Sequence, residues 1–215
     1  MILLFDLDGT LIDSTEAILE SFHTACRKMG FPSPADEEIK QLIGYPLDYM
    51  FAHVGVPKEK VWDFVAAYKE HYRVISKEKT VLLPKAREAV EEAASFARLG
   101  IVTTKTGRYS RELMEHFGLL HYFEVLVGRE DVTHPKPHPE PILNALAMMR
   151  PQKNERAYMI GDTKLDMECA KEAGVEAVGV LCGYGSKDEL EVFGYPLFTD
   201  SFEAVQYLKT NAAKE

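Results

Sequence analysis

Cysteine is scarce in this chain, and cationic charge is in deficit. Only three cysteines occur among 215 residues, Cys26, Cys169 and Cys182, widely spaced and with no Cys-x-x-Cys pair. An odd, scattered set excludes a disulfide framework, so these residues read as packed thiols in a reducing compartment, with a cytoplasmic location expected. Lys and Arg number 25 against 34 acidic residues, for a formal net charge of -9. That balance argues against a nucleic-acid partner, because neutralising a phosphate backbone takes a basic stripe; small anions can still be held by amides and one or two lysines. Long apolar runs are missing as well. The first ends at Asp6 after five residues, so neither a signal peptide nor a membrane span is expected. There is no internal repeat or low-complexity tract, and the tail after Lys209 is the one candidate for disorder.

What is present begins at once, with MILLFDLDGTLIDST. Met1 to Phe5 is the continuous apolar run of a buried parallel strand, and Gly9 supplies the turn that ends it. Asp6 and Asp8 therefore stand at a strand's carboxyl end, where open α/β sheets bind ligands, and side chains two apart on extended backbone point the same way. Two adjacent carboxylates are costly to bury unless a cation or a proton relieves their repulsion. The pair suggests a divalent metal or a division of roles, and both are expected: one aspartate can attack phosphorus while its neighbour supplies a proton. An ordinary strand followed by an Asp-Gly turn would use the same residues.

From Pro84 onward, helix-like and strand-like stretches alternate in the way that predicts a parallel sheet with helices on both faces. Ile101–Thr103, Val125–Val127, Tyr158–Ile160 and Val175–Val180 read as strands. Helices are expected over Pro84–Leu99, closed by Gly100, and over about Ser110–Phe117, Pro139–Met149 and Leu165–Ala173, the last closed by Gly174. Residues 14–80 break this rhythm. Ile18, Phe22 and Cys26 recur at helical spacing, the turn-rich GFPSPADEE follows, and helical patterning returns over Val61–Ile75. The chain is long enough for a core domain of ordinary size carrying such an insertion.

Four further segments carry chemistry-bearing residues. GIVTTKTG sets Thr103, Thr104 and Lys105 at a strand end, where hydroxyls and amides can hold a phosphoryl group or simply close a turn. In THPKPHPEP the prolines exclude a regular helix until after His138, so Lys136 is held on a stiff loop, as a point charge among carboxylates or as a solvated turn residue. His134 and His138 have the spacing of paired ligands on a helix, but Pro135 and Pro137 remove that helical face, and no zinc site is expected. AYMIGDTKLDMECAKEAG is a strand, a glycine break, Asp162 and Asp166 four apart, and a helix. Thr163 with Asp166 can form a capping-box variant, while Asp162 on the loop can complete a hard-oxygen magnesium site. IGYPLDYMF in the insertion reads equally as a helix start at Pro46 or as a substrate-facing loop presenting Tyr45.

These segments, in this order, resemble the four motifs of the haloacid dehalogenase-like superfamily, over nearly the whole chain. The resemblance implies a Rossmann-like α/β core of residues 1–13 and 81–215 with an α-helical cap, of four helices in the family, from 14 to 80. It implies a magnesium-dependent phosphatase acting on a small phosphate ester or anhydride. Asp6 is then the nucleophile and Asp8 the acid and base, with Thr103 and Lys136 holding the phosphoryl group. Metal is bound by Asp6, the Asp8 carbonyl and Asp162, with Asp166 supporting a metal-bound water; Tyr45, Thr104 and Lys105 contact substrate. The phosphoglycolate phosphatase branch reads Thr-Asn-Lys where this chain has Thr103, Thr104 and Lys105, a departure that bears on substrate rather than reaction class. DVTHPKPHPEP also resembles a pyrophosphatase branch. A β-phosphoglucomutase-like mutase would keep Asp8 and the cap, a dehalogenase has no use for an acid at Asp8, and a non-catalytic protein would be expected to have lost one of these residues. Monomer and homodimer are equally compatible with the sequence.

Overall fold

A computed structural model describes residues Met1 to Ala212. The chain opens with β1 (Ile2–Phe5) and β2 (Ile12–Asp13). It continues through α1 (Thr15–Lys28), α2 (Asp36–Lys40), α3 (Leu47–His53) and α4 (Val61–Ile75) to β3 (Val81–Leu82). Alternation follows: α5 (Ala86–Ala94), β4 (Arg98–Val102), α6 (Gly107–His116), β5 (Phe123–Val127), α7 (Glu140–Met149), β6 (Ala157–Gly161), α8 (Lys164–Ala173), β7 (Glu176–Val180), α9 (Lys187–Glu191), β8 (Leu197–Phe198) and α10 (Ser201–Ala212). Two compact units result, one of Met1–Asp13 with the chain from Leu82 on, the other Ser14–Val81.

The first unit is a Rossmann-like six-stranded parallel sheet in the order β5-β4-β1-β6-β7-β8. Strand alternation explains its two layers. Leu3 and Phe5 of β1 face a core shared with Ala89 and Val90 of α5, Leu113 and Met114 of α6, and Val205 and Leu208 of α10. Ile2 and Leu4 face the opposite core, with Ile142 and Ala145 of α7 and Met167 and Ala170 of α8. Both faces of the strand are buried, which is why its sequence is an unbroken apolar run.

The second unit is four α-helices, of which α1 and α4 bury Phe22, Cys26, Phe64, Tyr68 and Tyr72 between them and their neighbours. Phe22 stacks on Phe51 of α3 with ring centroids 4.1 Å apart, and Phe51 meets Phe64 at 5.5 Å. Each such ring contributes about 1.5–3 kcal/mol by leaving water.

The structure corrects the helix expected over Pro84–Leu99. It stops at Ala94, and Arg98–Val102 is strand, with Gly100 inside β4 rather than capping a helix. The reason is close packing: a Cβ at Gly100 would crowd the Leu4 and Val125 side chains of the neighbouring strands. The apolar pull of Leu99, Ile101 and Val102 into the sheet outweighs the helical continuation. Gly174 does cap α8, in the left-handed conformation at φ 68°. Thr210–Ala212, placed in the candidate disordered tail, belong to α10, and residues 213–215 lie outside the described residues. Cys26 and Cys169 are buried and none of the three cysteines is disulfide-bonded. No helix among the described residues is long and apolar enough to cross a membrane.

Candidate active site

Sheet order decides the site. The chain winds from β1 to β4 and β5 on one side, then returns to β6 on the other, so β1 stands between β4 and β6 at the point where the direction reverses. The loops leaving these three strands are neighbours. They carry Asp6 and Asp8, Thr103 to Lys105, and Asp162.

Asp6 follows β1 directly, its N–H donating to the Ile160 carbonyl at 3.0 Å. The chain then folds tightly, with the N–H groups of Thr10, Leu11 and Ile12 converging on the Leu7 carbonyl. Gly9 makes the turn at φ 83°, and a Cβ there would collide with the Asp162 carboxylate. Lys136, on the loop before α7, is almost wholly buried and reaches three oxygens. It donates to Asp166 Oδ1 at 2.5 Å and to the Val102 carbonyl at 3.2 Å, and its Nζ lies 3.1 Å from Asp6 Oδ1. The last approach is an ion contact off the hydrogen-bonding direction, so Asp6 Oδ1 is buried with no hydrogen-bond partner. Asp162 accepts from the Thr10 hydroxyl and the Tyr184 N–H, both at 2.8 Å. Asp166 Oδ2 accepts from the Thr163 N–H and hydroxyl, at 3.0 and 2.8 Å, while its other oxygen is taken by Lys136.

The cluster is under electrostatic tension. Burial lifts the Asp6 carboxyl to about 6, the Lys136 ammonium pulling it down and Asp166 and Asp8 pushing it up. Burial, then repulsion from Asp166 and Asp6, raises Asp162 well above the ordinary carboxylate range. Burial works against the charge of Lys136, yet the Asp166 and Asp6 carboxylates hold its ammonium above the usual lysine range.

A divalent cation fits this arrangement. Asp6, Asp162 and Asp166 each offer an oxygen within 4.8 Å of the others, all three are buried, and the Lys136 ammonium pairs with two of them. The Asp6 oxygen left without a hydrogen bond and the crowding of three buried carboxyl groups are what a hard cation would relieve. Asp166 Oδ1 is held in a buried ion pair by the Lys136 ammonium, which sets it apart from Asp162 as a support for the others.

Of the remaining expected residues, Thr103 is buried at the end of β4 and its hydroxyl accepts the Lys105 N–H at 3.3 Å. Thr104 follows it, half-buried. Lys105 does not reach out to solvent, because its Nζ pairs with Asp8 Oδ2 at 2.8 Å. Tyr45 belongs to the second unit, just before α3, and stacks on Tyr49 with ring centroids 4.6 Å apart. Sequence reasoning missed Thr10 and Tyr184, which hold Asp162, and Gly183, where a Cβ would meet the same carboxylate. The glycine-flanked CGYGS after an apolar strand was the available signal, being one more loop at a strand's carboxyl end.

The family model of haloacid dehalogenase-like hydrolases matches residues 3–180, a span holding every member of this cluster. The chain belongs to that family. This haloacid dehalogenase-like hydrolase is 33% identical to the probable phosphatase IndB of Dickeya dadantii, over 95% of its own length and 91% of that protein's. It is 29% identical to a phosphoglycolate phosphatase of Salmonella typhimurium, covering 92% and 88% of the two chains. A relative from Caldanaerobacter subterraneus, provisionally named pyrophosphatase PpaX, is 33% identical over 82% and 80%. Among solved structures, a haloacid dehalogenase-like hydrolase from Streptococcus pneumoniae superposes with a TM-score of 0.85 at 29% identity, covering 96% of this chain and 97% of that one.

Proposed function

We propose that this hydrolase is a magnesium-dependent phosphatase that cleaves a small phosphate ester or anhydride through an aspartyl-phosphate intermediate. The observation that carries the reading is the meeting of Asp6, Lys136, Asp162 and Asp166 around adjacent strand ends, with an Asp6 oxygen left without a hydrogen bond. Asp6 attacks phosphorus in line, and Asp8 protonates the leaving oxygen. Asp8 then takes a proton from the water that breaks the phosphoryl–Asp6 bond. Lys136 and Thr103 hold the phosphoryl oxygens and stabilise the charge spread over them. Asp6 and Asp162 would hold magnesium, which would supply neutralisation of phosphoryl charge. Asp166 and Thr163 fix Lys136 from behind.

In the same reading Ser14–Val81 serves as the cap, Tyr45 meets the leaving group, and Lys105 exchanges Asp8 for an anionic part of the substrate. The site lies in the cytoplasm. Phosphoglycolate is the first substrate to try, given the 29% identical phosphatase of that name, and pyrophosphate the second, given the PpaX relative. The test is phosphate release from 2-phosphoglycolate, pyrophosphate, sugar phosphates and nucleotides, each with magnesium and with chelator. One strongly preferred substrate with full metal dependence is expected. Isomer interconversion of a sugar phosphate without net phosphate release would replace the hydrolase reading by a mutase, and turnover undiminished by chelator would overturn the magnesium assignment.

A further inference from the structure

Lys136 is flanked by two histidines that play no part in the cluster it enters. Pro135 and Pro137 deny His134 and His138 a helical face, yet the loop brings their rings together by another route, with centroids 4.7 Å apart. Glu140, at the start of α7, joins them. One ligand-capable atom from each of the three lies within 4.8 Å of the other two. Lys136 is buried while both histidines are exposed, so the loop turns its ammonium inward to Asp6 and Asp166 and its imidazoles outward. The two groups of residues share no member.

Glu140 is already aimed. Its Oε1 accepts the Thr133 N–H at 2.7 Å, and its Oε2 accepts the His134 N–H at 3.0 Å and lies 2.9 Å from His134 Nδ1. Backbone donors that orient a carboxylate in this way are the usual outer support of a metal ligand. The bonds a cation would displace are weak ones: the His134–Glu140 side-chain contact, which is solvent-exposed, and a 3.2 Å bond from the Glu140 N–H to His138 Nδ1.

We propose that His134, His138 and Glu140 form a second cation site, for a divalent transition metal of the zinc class and separate from the acidic cluster. Two imidazoles and one carboxylate are borderline ligands that suit zinc, nickel or copper and give magnesium, which takes oxygen donors, no advantage. Three protein ligands leave positions open to water. A metal there ties residues 134, 138 and 140 together and so staples the loop that carries Lys136.

The test is calorimetric titration of zinc chloride into the full chain, without an affinity tag containing histidine and with magnesium at saturation. One zinc per chain is expected, with His134→Gln and His138→Gln each weakening binding at least tenfold and Asp162→Asn leaving it unchanged. An electron paramagnetic resonance spectrum of the copper(II)-loaded wild-type protein should show hyperfine coupling from two imidazole nitrogens, a readout independent of any variant's folding. The proposal is overturned if magnesium-saturated protein takes up no zinc, if Asp162→Asn removes the zinc that both histidine variants retain, or if the copper spectrum lacks nitrogen coupling.

Discussion

Replacing Lys136 by methionine removes the ammonium that pairs with the buried Asp6 and Asp166 carboxylates, with nearly the same side-chain length. In the wild type its Nζ stands 2.5 Å from Asp166 Oδ1 and 3.1 Å from Asp6 Oδ1, and its side chain is 2% exposed, so solvent does little to screen the change. Breaking a buried ion pair from one side costs about 3–5 kcal/mol, because the surviving charge stays desolvated. At about 2–4 °C per kcal/mol for a domain of this size, the melting temperature should fall by roughly 6–20 °C. The assay is calorimetric melting in chelator at neutral pH, so that no added cation masks the loss. Adding Asp166→Asn removes one of the stranded carboxylates, and the double variant should recover about 1 kcal/mol or more relative to additive losses. Phosphatase turnover of Lys136→Met, assayed with magnesium, should fall about 10²–10³-fold. A melting point within about 2 °C of wild type, or a double variant less stable than the two losses combined, would refute the reasoning.

Asp6→Asn should keep the fold, by circular dichroism, and lose about 10⁴-fold or more in turnover, and appreciable magnesium-dependent activity would remove Asp6 from the nucleophile's role. Gly183→Ala places a methyl against the Asp162 carboxylate, so the magnesium concentration giving half-maximal rate should rise at least tenfold while circular dichroism is unchanged. Glu155 is held below the usual glutamate range first by the Gln152 N–H, then by the Met1 ammonium and Arg98. A depressed folded-state pKa contributes stability above the unfolded value near 4.5 and loses it as pH falls through the folded one. Glu155→Gln should therefore cost about 1 kcal/mol at pH 7 by urea unfolding, a difference that closes as pH falls from the unfolded value near 4.5 through the lower folded one.

The strands were legible because each is an apolar run ended by a turn residue, and Asp6 and Asp162 because each follows such a run. Helix ends were less so. Pro84 and Gly100 punctuate a helix that would run to Leu99, and only the pairing of Arg98 and Leu99 with β1 and the fit of Gly100 between Leu4 and Val125 show that the chain has entered the sheet. The place of Lys105 beside Thr103 points to a substrate contact. Its pairing with Asp8, 97 positions away, cannot be seen in any local pattern.

By itself the sequence determined the α/β alternation, the helical break between the first and second core strands, and the reactive groups at strand ends. These follow from local periodicity and from the chemistry of single residues. The tertiary structure alone decided that β1 lies between β4 and β6, so that acids far apart in the chain share one buried space. It also decided that Thr10 and Tyr184 hold Asp162, and that a proline-stiffened loop brings His134 to His138 without a helix. Contacts between distant segments depend on strand order and on packing across the whole sheet, and no window of sequence contains either.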